Sequence, residues 1–172
     1  MINRIAIALL LLLLPAEQSF SRDLGRFGGN TLRFATSDES GVDLYVSNDG
    51  EIFVSMETMG SEAEGVRAEV GGTYTWQQTQ IDTMGDPVTC QHSSQAKLGG
   101  SKLVITTTSN CIFSDCPKCA GVFHIVIEAS VNGKQCSAAL TRWSDASPDR
   151  YRYKSLSCQM LEGRHLRHIK YN

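Results

Sequence analysis

Six cysteines, Cys90, Cys111, Cys116, Cys119, Cys136 and Cys158, hold most of the chemical potential of this chain. The densest group is Cys111-x4-Cys116-Pro117-Lys118-Cys119, and three chemistries compete for it. An active Cys116–Cys119 dithiol needs a lowered thiolate pKa, normally supplied by a helix N-terminus. The residues that follow, Gly121 to Ile127, read as a strand, so Lys118 is left as the only support. A metal site would gather Cys90, His92, Cys116 and Cys119. The C-x2-C spacing suits half of a tetrahedral zinc site, and soft thiolates also suit copper. No second closely spaced pair completes that set, and an oxidising compartment competes for the thiolates. Structural disulfides are the preferred use of all six cysteines. Cys136–Cys158 is the first pairing expected; Cys90–Cys111 with Cys116–Cys119 is one option for the rest, and Cys90 bridged to the loop is another.

Other candidates carry less. His92 is a possible general base, but no recognisable turn motif places a nucleophile beside it. The pair His165-x2-His168 lies in a terminal segment whose spacing alone does not make a ligand pair. The acid-rich stretch Glu57 to Glu64 lacks the alternating oxygen ligands of a calcium loop. Trp76 and Trp143 fit a core or a barrel mouth better than a sugar platform. No catalytic residue is assigned, and no cofactor is implied.

The redox expectation rests on the N-terminus. Met1 to Arg4 is a short basic opening, and Ile5 to Leu14 is an apolar run of ten residues. That run is too short for a bilayer, which needs roughly 20 residues, so it reads as a cleaved signal and predicts no transmembrane anchor. Cleavage after Ser21 (Ala16 is an earlier option) gives a signal over 1–21. It leaves 172 − 21 = 151 residues, a single domain over 22–172 with a short basic C-terminal tail. Export to the periplasm or the exterior puts the cysteines where disulfides persist.

Net charge is −2, which argues against a nucleic-acid partner. Its distribution is uneven. Thr36 to Val70 holds nine acids against Arg67, whereas Arg142 to Asn172 holds seven basic residues against three acidic. Either the two segments complement one another, or the tail Arg164 to Lys170 contacts an anionic surface.

Short β-branched and aromatic runs punctuated by Gly, Asn, Asp and Pro must position these groups, the pattern of an antiparallel all-β domain. Nine strands are predicted: Asn30–Thr36, Val42–Ser47, Glu51–Met56, Gly72–Asp82, Val88–His92, Lys102–Thr108, Gly121–Val131, Lys134–Trp143 and Arg152–Leu161. A three-residue loop Asn48-Asp49-Gly50 sets Val46 opposite Ile52, Leu44 opposite Val54 and Val42 opposite Met56. A two-residue loop there mixes the faces. A two-residue Asn132-Gly133 turn pairs Ala129 with Cys136, Ile127 with Ala138 and Ile125 with Leu140, and sets Trp143 near Val122. His124 and Glu128 fall on the other face. Leu156, Cys158 and Met160 share one side of the last strand. The fold expected is a small antiparallel β-barrel or two-sheet sandwich, reinforced by disulfides.

The stretches Gly29-Asn30-Thr31-Leu32, Tyr45 with Asn48-Asp49-Gly50, and Gly71-Gly72-Thr73-Tyr74-Thr75-Trp76 resemble small exported bacterial β domains of lipocalin-like type. The resemblance covers the first third to half of the mature chain, and the cysteines after Cys90 depart from it. It implies a ligand-binding or envelope-associated barrel and transfers no catalytic residue.

The function expected is an exported, non-enzymatic binding domain for a small apolar ligand or an envelope component. Leu44, Val54, Trp76, Ile105, Ile125 and Leu140 are the candidate lining positions. One alternative is a protein–protein or inhibitor module that meets an envelope or host protein through the loop around Cys111–Cys119. The other is a thiol-redox or metal-handling protein.

Overall fold

The computed structural model describes residues 23–38, 40–57, 64–81, 85–114, 120–147 and 149–167. The signal, Cys116, Cys119 and His168 lie outside them, as does most of the Glu57–Glu64 stretch. Among the described residues the chain is all-β: β1 (Asn30–Thr36), β2 (Gly41–Val46), β3 (Glu51–Glu57), β4 (Glu64–Glu69), β5 (Thr73–Ile81), β6 (Pro87–Gly99), β7 (Lys102–Phe113), β8 (Gly121–Asn132), β9 (Gln135–Ser144) and β10 (Tyr151–Glu162). The ten strands form one antiparallel sheet in the order β4-β3-β2-β1-β10-β9-β8-β7-β6-β5. Strands adjacent in sequence pair everywhere except between β4 and β5, and β1 pairs with β10. The sheet turns back on itself where Val70, just after β4, bridges Ala96 of β6 and the Gly71 N–H donates to the Ala96 carbonyl at 2.9 Å. The result is a nearly closed up-and-down barrel, which leaves little free sheet edge.

Alternation builds it. Leu32 and Phe34, Val42 to Val46, and Ile52 to Met56 bury every second side chain in one continuous core. β2 and β3 pair Val46 with Ile52, Leu44 with Val54 and Val42 with Met56, and Gly50 takes the positive φ of 93° that the loop requires. β4 is absent from the sequence prediction because Glu64, Arg67 and Glu69 mask its short Val66-Ala68-Val70 alternation. All three apolar residues are buried. β6 and β7 outrun their predicted ends because the next inward positions are polar: Ser94 is buried against Thr107, Oγ to Oγ1 at 2.7 Å, and Ser109 is buried on β7.

Three local predictions are corrected. In the β8–β9 hairpin the turn residues are Gly133 and Lys134, with Gly133 at φ 61°, and Asn132 pairs with Gln135. The two-residue shift preserves each face but sets Val131 opposite Cys136, Ala129 opposite Ala138 and Ile127 opposite Leu140. It buries Val131, which the predicted register sets against Lys134. Trp143 therefore stands opposite His124 and not Val122. On β10 the register slips where Ala35 faces Ser157 and Thr36 faces Ser155. Leu156 falls in that bulge and is 77% exposed, while Cys158 and Met160 pack against the core.

One end of the barrel is stoppered. Residues 23–29 cross it, burying Leu24 and Phe27 in the core, and the Arg26 guanidinium donates to the Gly133 carbonyl of the β8–β9 turn. Disulfides join Cys90 on β6 to Cys111 on β7, and Cys136 on β9 to Cys158 on β10.

The basic tail crosses the outside of the barrel. Gly163 donates to the Gly29 carbonyl, Thr31 Oγ1 bonds the Gly163 carbonyl and the His165 N–H, and Ser55 Oγ donates to the Arg167 carbonyl. Its anchor is Asp43 on β2, only 1% exposed, which accepts from Arg33 and from both the backbone and the guanidinium of Arg167. Burial opposes ionisation of Asp43, but the Arg33 and Arg167 hydrogen bonds outweigh it and hold the carboxyl below its ordinary value. Acidic and basic segments thus meet within the molecule at this point. Arg164 lies over the Phe53 ring at 4.7 Å.

Candidate ligand-binding cavity

Cross-strand rows show how the barrel interior changes along its axis. One row in from Leu98, Leu103, Ala129 and Ala138 at the stoppered end of this wall, Ala96, Ile105, Ile127 and Leu140 form a fully buried apolar row across β6, β7, β8 and β9. The next row is Ser94, Thr107, Ile125 and Arg142; the one beyond it is His92, Ser109, Phe123 and Ser144. The Cys90–Cys111 disulfide follows, with Val88 and Phe113.

Above the apolar row lies a cavity of about 510 Å³. Its apolar walls come from Met56 of β3, Val88 of β6, Phe113 of β7 and Ile125 of β8, with the Cys90–Cys111 bridge between them. Phe123 and Tyr151, 41% and 54% exposed, contribute at the rim. Of the six lining positions expected from sequence, Ile125 stands in the wall. Leu44, Val54, Ile105 and Leu140 are fully buried core instead, and Trp76 packs beside the core outside this wall. Alternation assigns a side chain to the inner face, but not to a height within the barrel.

Two polar groups shape the cavity. His92 stacks on Trp76 of β5, ring centroids 4.6 Å apart, and its Nδ1 lies 2.8 Å from Ser109 Oγ. Burial lowers the His92 pKa, so the ring is neutral at pH 7. A serine therefore does lie beside His92, across a β6–β7 ladder that no local motif reveals. Among the described residues no carboxylate orients the second ring nitrogen, the position that the third member of a nucleophilic triad would take. With Cys90 bonded to Cys111, the Cys90–His92–Cys116–Cys119 metal set loses a thiolate. No cluster of three or more metal-ligating side chains occurs among the described residues.

The second polar group, Arg142, was not singled out from sequence. Its parity gives it away: Cys136, Ala138, Leu140 and Arg142 share the inward face of β9. The side chain is 29% exposed, and among the described residues its acidic contact is Asp38 Oδ2 at 3.8 Å. Asp38 is occupied by the Thr36 hydroxyl and the Ser40 N–H. Burial opposes its ionisation, but those hydrogen bonds and Arg142 together keep its carboxyl below the ordinary value. Arg142 Nε is buried without a hydrogen-bond partner.

At the same rim, and also lining the cavity, His124 stacks on Trp143 at 4.6 Å and bonds Asp145 Oδ1 through Nε2 at 2.9 Å. Arg150 covers the other side of the indole at 4.7 Å.

Comparison with protein-family models, with curated proteins and with solved structures found no match.

Proposed function

We propose that this chain is an exported, non-enzymatic binding domain that holds a small apolar ligand in the open end of its barrel. The observation that carries this reading is the cavity of about 510 Å³ between Met56, Val88, Phe113 and Ile125. Small-molecule sites are concave, mainly apolar and roughly 300–1,000 Å³ in volume, with a few polar groups to fix orientation. The stoppered end and the packed apolar row beneath give the ligand a floor, so entry is from the rim. An apolar component of a cell envelope satisfies the same chemistry as a free small molecule. Export is supported by the disulfides and by the signal-like N-terminus.

The test uses a neutral environment-sensitive fluorophore, N-phenyl-1-naphthylamine, titrated with the oxidised protein. Saturable enhancement in the micromolar range is expected, and Ile125→Trp, which fills the cavity, should abolish it without lowering the unfolding temperature by more than a few degrees. Absence of saturable binding, or binding indifferent to a well-folded Ile125→Trp variant, contradicts the proposal.

A further inference from the structure

We infer that the ligand is a monoanion, an apolar body ending in one carboxylate, with that group seated on Arg142; this rests on the apolar-ligand reading above. A guanidinium carries five N–H donors and no acceptor, and a buried donor without a partner is rare in a folded protein. Arg142 is directed inward from β9 in the row directly above Leu140, where a leucine-like residue would pack. Among the described residues it makes no hydrogen bond, and its Nε is buried and unpaired. The 3.8 Å approach to Asp38 exceeds hydrogen-bonding distance.

Neighbouring polar groups of these rows bond one another. Ser94 bonds Thr107, and His92 bonds Ser109. The described wall of the cavity contains no carboxylate, and its inner polar residue His92 is neutral at pH 7. Arg142 is thus the one fixed charge among the described residues of the wall. A planar carboxylate matches the guanidinium fork, whereas a neutral alcohol leaves the charge with only its 3.8 Å approach to Asp38, and a cationic head is repelled by it. One cation selects one anion, and the apolar walls select the rest of the molecule.

Decanoate, decan-1-ol and decyltrimethylammonium distinguish these cases by calorimetric titration at pH 7.5. Decanoate should bind at least tenfold more tightly than decanol, and the ammonium should bind more weakly than either. Arg142→Gln should bring decanoate down to the affinity of decanol while leaving decanol within threefold. Asp38→Asn, which removes the carboxylate competing for the guanidinium, should strengthen decanoate severalfold and leave decanol unchanged. It also decides the question if Arg142→Gln does not fold. Equal binding of decanoate and decanol, or no gain in Asp38→Asn, overturns the anion inference while the apolar-ligand reading stands. If none of the three binds, both fall together.

Discussion

Replacing Asp43 with Asn tests whether the C-terminal tail is pinned as described. The carboxylate is 1% exposed and accepts at 2.7 and 3.2 Å from Arg33 and at 3.0, 2.9 and 3.2 Å from the backbone and guanidinium of Arg167. Removing one member of a fully buried ion pair costs roughly 3–5 kcal/mol, because the partner charge stays buried. Here Arg33 and Arg167 are 32% and 43% exposed and can be rehydrated, so the lower end applies. We expect a loss of about 3 kcal/mol, or roughly 6–12 °C in Tm for a domain of about 150 residues. The assay is urea unfolding of wild type, Asp43→Asn, Arg167→Ala and the double variant. Arg167→Ala alone should cost about 1–2 kcal/mol, since Asp43 keeps Arg33. In the Asp43→Asn background the same change should cost almost nothing, a coupling of about 1 kcal/mol or more. Additivity within about 0.5 kcal/mol refutes the reasoning, because it means that Arg167 and Asp43 do not interact.

Two further predictions follow from the same structure. Cys136→Ser with Cys158→Ser opens a bridge spanning 22 residues; the chain-entropy model gives a loss of about 3 kcal/mol, read as a lower urea midpoint, and an unchanged midpoint contradicts it. Acid should destabilise the fold in two stages. His92 has a folded pKa below its unfolded value of about 6.5, so its contribution is present above that value and fades as pH falls beneath it. Asp43 and Asp38 are likewise depressed, and their contribution is lost only below about pH 4. A urea-midpoint profile from pH 8 to 3 checks both stages: His92→Gln should remove the first and Asp43→Asn should shrink the second.

Where local pattern and local turn agree, the sequence was legible. The β2–β3 register follows from Val42, Leu44 and Val46 together with Asn48-Asp49-Gly50, because the alternative loop mixes apolar and polar faces. The β8–β9 faces were legible but their register was not: a two-residue slip leaves every face intact, and only burial of Val131 separates the two pairings. β4 was hidden because its three apolar residues are embedded among charges. The cavity is a matter of height in the barrel. Ile125 and Leu140 have the same inward parity, yet Leu140 lies in the packed row with Ile105 and Ile127, and Ile125 lies one row above it. That distinction depends on long-range stagger between strands, which no single strand encodes. The Asp43–Arg167 contact spans 124 positions and was legible only as an imbalance of charge between two segments.

On the proposed function, the open end of the barrel takes an apolar ligand while the stoppered half is solid core. Methyl-resonance mapping tests it most directly, with N-phenyl-1-naphthylamine titrated into methyl-labelled protein. Saturable shifts are expected at Met56, Val88 and Ile125, with Leu44, Val54 and Leu140 unmoved. Shifts centred on the latter three, shifts confined to outward-facing methyls, or no saturable shift at all contradict it.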